Sequence, residues 1–209
     1  MIIEIGHFSL LTAFLLSFLV IFLSMIGTYK HWFNWKKLAC SFVPLIFYLI
    51  GVSFLSLVYG FVVSDFSVIT VFENSHSSKP LIYRISGTWG NHEGSMLLWV
   101  LLLSFYASLV VWFGKNLDFQ FQTIVVGVQI TILTLFLGFL IFTSNPFNRT
   151  LSPQLEGRGL NPILQDPGLA FHPPFLYLGY VGLSVAFSFS IAALLLGKID
   201  SIWARWVRP

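Results

Sequence analysis

The stretch Met96-Leu-Leu-Trp-Val-Leu-Leu-Leu103 is uninterrupted apolar sequence, and the longer run around it, Ser95–Phe113, carries no charged side chain. A transmembrane α-helix needs about 20 mostly apolar residues to cross some 30 Å of hydrocarbon, and this run is long enough to do so. A strand of a membrane β-barrel would be shorter and would alternate apolar with polar residues. The run therefore predicts a helix that spans a lipid bilayer.

Four further apolar stretches have a similar length. Together with Ser95–Phe113, we predict spans at Phe8–Tyr29, Leu38–Val63, Phe121–Thr143 and Phe175–Leu196. Only 9% of the 209 residues are charged, against about a quarter in a typical soluble domain, so water is not the main solvent of this chain. The sequence therefore predicts an all-α fold, a polytopic membrane bundle of about five helices in one domain that covers residues 1–209.

The connections between these spans fall into two sets that differ in charge. Lys30–Lys37, Gly114–Gln120 and Gly197–Pro209 hold seven of the eleven Lys and Arg residues. The N-terminus, Ser64–Gly94 and Ser144–Pro174 hold six of the eight acids. Because Lys and Arg concentrate on the cytoplasmic side, we expect the N-terminus outside, the C-terminus inside and the two long connections on the extracytoplasmic side.

Polar chemistry is concentrated in those two long connections. The second ends in His172-Pro173-Pro174, directly before the fifth span. A residue that precedes proline is biased away from the helical region, and proline suits the first helical turn. We therefore expect His172 in an extended entrance to the fifth span, at the membrane surface, where its imidazole either binds a ligand or merely caps the helix.

The first connection ends in Ile85-Ser-Gly-Thr-Trp-Gly-Asn-His-Glu-Gly-Ser95. Asn91 is a favoured helix N-cap, and Glu93 in the first turn complements the helix dipole. Capping leaves His92 and Trp89 unexplained, although tryptophan is also common at membrane interfaces. No second histidine follows at the spacing of a zinc protease motif, so metalloprotease chemistry has no support.

Other residues exclude or weaken further functions. The single cysteine, Cys40, lies in an apolar run without a CxxC motif, which argues against thiol redox chemistry. We interpret Arg84, Arg149 and Arg158 of the long connections as solvated cations and expect no nucleic-acid partner. None of the five histidines lies in the middle of a predicted span, so this chain cannot hold a buried haem between paired histidines.

The two polar segments resemble a known family. Gly87-Thr-Trp-Gly-Asn-His-Glu-Gly-Ser-Met-Leu-Leu-Trp99 resembles the signature of the cytochrome c maturation haem lyase family (CcmF/NrfE type). Gly159-Leu-Asn-Pro-Ile-Leu-Gln-Asp-Pro-Gly-Leu-Ala-Phe-His-Pro-Pro-Phe-Leu-Tyr-Leu-Gly-Tyr-Val-Gly182 resembles the second strong motif of that family. Both motifs are long and rich in rare residues, and the resemblance extends over essentially the whole chain.

The resemblance implies a role in cytochrome c biogenesis, in a bacterial inner membrane or a mitochondrial inner membrane. Members receive haem on the outer face from a haem-carrying chaperone, and help join it to the CxxCH thiols of apocytochrome c alongside thiol-handling maturation subunits. In the family, the histidine of the His-Pro-Pro motif is a ligand of the haem iron, which here is His172. The resemblance also makes Trp89, His92 and Glu93 candidates for contact with haem, with His92 and Glu93 either walls of the site or structural caps.

The chain lacks parts that the family possesses. Members continue with a tryptophan-rich external segment, a second external histidine and two membrane histidines for a resident b-type haem, all of which would lie beyond Pro209. We therefore expect the chain to be the N-terminal part of a haem lyase that needs its C-terminal portion for catalysis. A small-solute transporter and a structural subunit of a membrane complex are the alternative hypotheses.

Overall fold

The computed structural model describes residues 1–152, 154–162 and 165–197 of the chain. Its secondary structure is helical, apart from a single β-bridge between Val68 and Arg149. The charged end at residues 198–209, which contributed to the predicted orientation, lies outside the described residues. Within the described ranges the α-helices are α1 (Ile2–Tyr29), α2 (Phe33–Val62), α3 (Ile69–Asn74), α4 (Leu81–Gly87), α5 (His92–Phe113), α6 (Phe119–Phe142) and α7 (Pro167–Leu196).

Five of these helices, α1, α2, α5, α6 and α7, are long and apolar enough to cross a membrane, which confirms the predicted number. Each begins before the apolar stretch that predicted it. Helix α1, for example, takes in Glu4, and α2 takes in Lys36 and Lys37. A helix can continue past its apolar residues because long charged side chains near its end extend to the polar surface of the membrane. Pro44 lies inside α2, which runs as one helix through it.

The five long helices pack around a shared apolar centre. Helix α1 packs against α2 and α6, α2 packs against α5, and α7 lies against α5 and α6. Fully buried side chains line the centre, among them Leu10, Ile46, Ile50, Leu97, Leu103, Ile130 and Leu137. The outward faces carry large exposed apolar side chains, as expected of helices that lipid surrounds.

A polar cluster inside the bundle joins α6 to α7. The Gln129 side chain is completely buried, and its Nε2 donates to Ser184 Oγ at 2.7 Å. Ser188 Oγ in turn donates to Gln129 Oε1 at 2.7 Å. Both ends of the amide are therefore used in helix–helix contact, which leaves no free polar group of this cluster to face a solute.

The two long connections meet at one end of the bundle, which we call the loop end (residues 63–91 and 143–166). The backbone N–H of Ile69 donates to the carbonyl of Asn148, and the N–H of Thr150 donates to the carbonyl of Ser67, both at 2.9 Å. Farther along, the N–H of Arg158 donates to the carbonyl of Phe72 at 2.8 Å. These backbone bonds make the two connections one structural unit.

The arginines of this unit are not simply solvated, contrary to the prediction. The Arg149 guanidinium pairs with Glu4 of α1 and with Asp65, whose Oδ2 lies 3.4 Å from Nη1. Arg84 Nη1 donates to the carbonyl of Val62 at 2.9 Å. A guanidinium has several donors, so a single arginine can join segments that are distant in sequence. Only Arg158, which is 69% exposed and 3.8 Å from Glu73, remains near the predicted state.

Candidate functional site

Helix α5 begins as the first motif predicts. The Asn91 backbone is extended, and its Oδ1 accepts a 2.7 Å hydrogen bond from the N–H of Gly94. Asn91 Nδ2 also donates to the carbonyl of Gly87 at 2.7 Å, which closes the turn before the helix. Gly94 is needed for this arrangement because a Cβ atom there would lie 1.6 Å from the Thr88 carbonyl oxygen.

Helix α7 begins differently from the prediction. The helix starts at Pro167, so His172-Pro173-Pro174 lies within its second and third turns, and the expected extended conformation of His172 is wrong. Proline at the first helical position has its φ already set for a helix, and Pro167 occupies that position. The N–H of Ala170 already donates to the carbonyl of Asp166 at 2.9 Å, which shows a helical turn before His172.

The two motifs touch through Trp89. Its Nε1 donates to the carbonyl oxygen of Ala170 at 2.8 Å, across 81 residues of sequence. Trp89 is half-buried, whereas Ala170 is 3% exposed. This bond fixes the turn before α5 against the first turn of α7.

Two hollows flank the Trp89 side chain. The first, which we call the polar cleft, has a volume of about 290 Å³ and is lined by Ser86, Trp89, Gly90, Asn91, His92, Ser95, Leu160, Ala170, Pro173 and Tyr177. The second, the apolar hollow, has a volume of about 320 Å³ and is lined by Leu81, Ile82, Ile85, Ser86, Trp89, Ala170 and Phe171. Ser86 lines both, is 4% exposed, and its Oγ has no hydrogen-bond partner in the structure. The pair of hollows therefore offers adjoining polar and apolar surfaces.

His92 lies in the wall of the polar cleft, but its ring is already held. Its Nε2 hydrogen-bonds with Ser144 Oγ at 3.0 Å, and its ring meets Phe139 edge to face at 6.0 Å between centroids. Phe139 belongs to the last turn of α6, and Ser144 lies two residues beyond its end. Glu93, the next residue, is half-buried in the first turn of α5 and lies outside the cleft lining. The structure thus joins Trp89 and His92 in one cleft and leaves Glu93 beside it.

His172 is exposed and does not line the polar cleft. At about 100° per residue, His172 lies about 160° around α7 from Ala170, the residue that Trp89 contacts. Its imidazole therefore leaves the helix on the side away from Trp89. Neither of the two hollows beside Trp89 brings His172 together with the first motif.

The second connection is held in place by the first. A Cβ atom on Gly157 would lie 2.0 Å from the Ser75 carbonyl oxygen, so only glycine allows this approach. Glu156 accepts hydrogen bonds from the Ser77 hydroxyl at 2.5 Å and the Ser77 N–H at 2.9 Å. These bonds, together with the N–H of Gly157 and the nearby His76, hold the pKa of the Glu156 carboxyl below its ordinary value.

Sequence reasoning did not single out several residues that line the cleft, among them Ser86 and Tyr177. Tyr177 follows Ala170 and Pro173 at helical spacing, so the three share one face of α7. That signal is readable only once the helix is known to begin before His172. Ser86 gives no such signal, because its position depends on how α4 turns into Trp89.

Among the residues that the structure describes, no group of three or more His, Cys, Asp or Glu side chains could hold a metal ion. All five histidines are described, and none lies near the middle of a spanning helix. An iron bound by His172 would therefore depend on porphyrin nitrogens and on groups from elsewhere for its other ligands.

Comparison with known proteins identifies relatives of the chain. The profile of the family described as Cytochrome C assembly protein matches residues 89–207, more than half of the chain. The cytochrome c-type biogenesis protein ccl1 of Rhodobacter capsulatus is 51% identical over all 209 residues, which cover 32% of that protein. The cytochrome c-type biogenesis protein CycK of Rhizobium meliloti is 52% identical over the same length, which covers 31% of it. The chain thus spans about a third of the length of the curated relatives it matches.

A solved structure has the same fold. The cytochrome c haem lyase CcmF matches with a TM-score of 0.85 and 28% identity, over 99% of this chain and 33% of that one. The resemblance predicted from the two motifs is confirmed, and with five apolar spanning helices the chain is a multi-pass membrane protein.

Proposed function

Because this chain belongs to the cytochrome c assembly protein family, we propose that it forms the N-terminal portion of a haem lyase, which attaches haem to the CxxCH thiols of apocytochrome c. The observation that carries the proposal is the meeting of the two motifs, in which Trp89 bonds to Ala170 in the first turn of α7, two residues before His172. In this proposal the five helices hold the two connections in register, and the connections present the groups that handle haem.

We assign to His172 the role of a ligand to the iron of the incoming haem. Neutral imidazole is an ordinary axial ligand of haem iron, and the exposed ring of His172 is open to a flat group that approaches from outside the bundle. Since His172 leaves α7 away from Trp89, the opposite side of the porphyrin would be covered by the C-terminal portion of the lyase. A resident b-type haem would likewise depend on that portion.

Trp89, His92 and Glu93 act beside this ligand in our proposal. Trp89 and His92 line the polar cleft on the other side of α7 from His172, so they would shape this end of the bundle rather than contact the porphyrin whose iron His172 binds. His92 is held by Ser144 and Phe139, so it would form a wall of the site rather than a second iron ligand. Glu93 would mainly support the helix dipole of α5.

The location and partners follow from the same proposal. The loop end would face the extracytoplasmic side of a bacterial or mitochondrial inner membrane, where a haem-carrying chaperone delivers its cargo. Apocytochrome c, its thiol-handling maturation subunits and the C-terminal lyase portion would meet the chain on that side. The buried Gln129 amide, which a solute transporter could use between its spans, is instead engaged in joining α6 to α7.

The test uses a full-length haem lyase that contains this N-terminal portion, expressed with the other maturation proteins. Replacing His172→Asn should abolish the imidazole-ligated haem spectrum and the formation of cytochrome c. The matched control is His31→Asn, because His31 is an exposed histidine at the opposite end of the bundle whose positive φ asparagine tolerates. If His172→Asn retains both haem ligation and cytochrome c formation, the assignment is wrong.

Orientation can be tested separately by labelling single cysteines. Ser78 is exposed at the loop end and Lys37 is exposed at the other end, while the native Cys40 is buried. In intact spheroplasts, a membrane-impermeant maleimide should label Ser78→Cys and leave Lys37→Cys unlabelled until the membrane is opened. The reverse pattern would contradict the proposed sidedness.

A further inference from the structure

Helix α7 continues through two prolines, and this leaves a gap in its hydrogen bonding. In an α-helix each carbonyl accepts from the N–H four residues later, so the Ala170 carbonyl would accept from residue 174. Residue 174 is proline, which has no N–H and cannot give this bond. An unpaired carbonyl on a 3% exposed residue is costly, because water cannot easily replace the lost donor.

Trp89 supplies the missing donor. Its indole Nε1 lies 2.8 Å from the Ala170 oxygen and donates to it. The first motif therefore provides, from 81 residues away, the bond that the second motif removes with Pro174. This explains in physical terms why a tryptophan and a His-Pro-Pro sequence occur together in this chain.

The donor itself is held rigidly. Asn91 Nδ2 donates to the carbonyls of the adjacent Gly87 and Thr88, and the N–H of Trp89 donates to the Ser86 carbonyl at 3.2 Å. Through the Ala170 carbonyl, this turn fixes the backbone two residues before His172. The direction of the imidazole then depends on the indole N–H.

We propose that Trp89 is a positioning residue for His172, in which the indole N–H replaces the backbone hydrogen bond lost at Pro174 and thereby sets the direction of the imidazole. The proposal rests on the proposed function, in which His172 binds haem iron. It gives Trp89 a role through its N–H that is separate from any contact of its ring with porphyrin.

The first test is Trp89→Phe, which keeps an aromatic ring but removes the N–H. In the full-length lyase titrated with haemin, we expect an affinity loss of roughly three- to tenfold, the effect of one hydrogen bond, and a smaller fraction of imidazole-ligated iron. The control is Trp99→Phe, which makes the same change in ring size where the buried Nε1 has no hydrogen-bond partner. We expect this control to match the wild type in both readouts.

The second test adds Pro174→Ala, which restores a backbone N–H opposite the Ala170 carbonyl. If Trp89 acts as proposed, the double variant Trp89→Phe/Pro174→Ala should recover the affinity and the spectrum. It should also recover accumulation in the membrane if Trp89→Phe alone accumulates poorly. This suppression would not occur if the ring of Trp89 mattered only as a surface for porphyrin.

The outcomes separate the two proposals. A wild-type lyase that fails to bind haemin contradicts the proposed function itself. Haemin binding by the wild type that Trp89→Phe leaves unchanged overturns the positioning role and leaves the function standing. A loss in Trp89→Phe that Pro174→Ala does not restore also overturns it, because the lost interaction then lies elsewhere than at the Ala170 carbonyl.

Discussion

The starts of helices α5 and α7 lie side by side at the loop end, yet they are built in opposite ways. Helix α5 has its cap within its own sequence, since Asn91 Oδ1 accepts from the N–H of Gly94 three residues later. Helix α7 has two prolines in its early turns and receives a compensating bond from Trp89. The start of α5 is stabilised by residues of its own segment, whereas the start of α7 depends on a residue that is distant in sequence.

The difference bears on how haem would be held. A locally capped helix start can be fixed before the rest of the bundle has formed, whereas the turn that carries His172 takes its final geometry only when both connections are in place. Prolines are tolerated in membrane helices where other groups satisfy the freed carbonyls, and here one such group is an indole. The ligand position therefore depends on the assembled loop end.

Disrupting the start of α5 should have the largest effect on stability. In Gly94→Ala, the new Cβ would lie 1.6 Å from the Thr88 carbonyl, and backbone atoms must move to relieve the overlap. We expect the free energy of unfolding in detergent to fall by about 3 kcal/mol, the upper part of the range for overpacked sites.

The control for this change is Gly179→Ala in α7, where an added Cβ meets no atom within 4 Å. Alanine is favoured over glycine in a helix interior by roughly 0.5–1 kcal/mol, so this variant should be as stable as the wild type or slightly more stable. If Gly94→Ala and Gly179→Ala are equally stable, the Thr88 carbonyl does not lie close enough to α5 to exclude a Cβ atom at residue 94.

Removal of the cap itself should cost less. Asn91→Ala loses the bond to Gly94 and also the two donations to Gly87 and Thr88. We expect a loss of about 1–2 kcal/mol in the free energy of unfolding, as for other N-cap substitutions. Asn91→Asp keeps an accepting oxygen but no donor, so its stability should lie between those of the alanine variant and the wild type. An aspartate variant no more stable than the alanine variant would contradict the capping role.

The same contrast explains what the sequence could predict. The five spans follow from length and apolar composition, and the cap at Asn91 follows from residues only three apart. Both signals are local, so a single sequence reveals them. The predicted first residues of the helices were less accurate, because Glu4 and Lys36 are charged and yet belong to α1 and α2.

The candidate site was less predictable because its contacts are distant in sequence. The local preference of a residue before proline disfavours a helix at His172, yet His172 lies inside α7, whose first turn receives the bond from Trp89 across 81 residues. In the same way, Arg149 pairs with Glu4 across 145 residues, which no local pattern reveals. The two motifs could be recognised by resemblance, whereas the bond between them required the structure.

A substitution between α6 and α7, within the bundle, should reduce the stability of the protein moderately. Gln129→Leu removes the bonds from α6 to Ser184 and Ser188 of α7. Without Gln129, each serine hydroxyl still has a carbonyl acceptor within α7, so neither is left without a partner. We expect a stability loss of about 1 kcal/mol, typical of hydrogen bonds between membrane helices. Thr131→Val, whose hydroxyl bonds only to its own helix at Gly127, is the control and should change stability little. If both variants behave alike, the Gln129 cluster does not hold α7.

The smallest expected effect is that of low pH on the second long connection, which precedes α7. The Ser77 hydroxyl and N–H lower the pKa of Glu156, so the folded state favours the carboxylate. The resulting stabilisation is complete above the ordinary carboxyl pKa of about 4.3 and is lost as the pH falls through the lower folded value. Hydrogen exchange at Ser77, corrected for its intrinsic rate, should therefore accelerate as the pH falls below the ordinary carboxyl pKa of about 4.3. In Glu156→Gln the pH dependence of exchange at Ser77 should disappear. The control is exchange at the Gly94 N–H, which the uncharged Asn91 cap protects and which should respond to pH in the same way in both proteins. If the wild type and Glu156→Gln show the same acid response at Ser77, a group other than Glu156 controls how the second connection is held against the first.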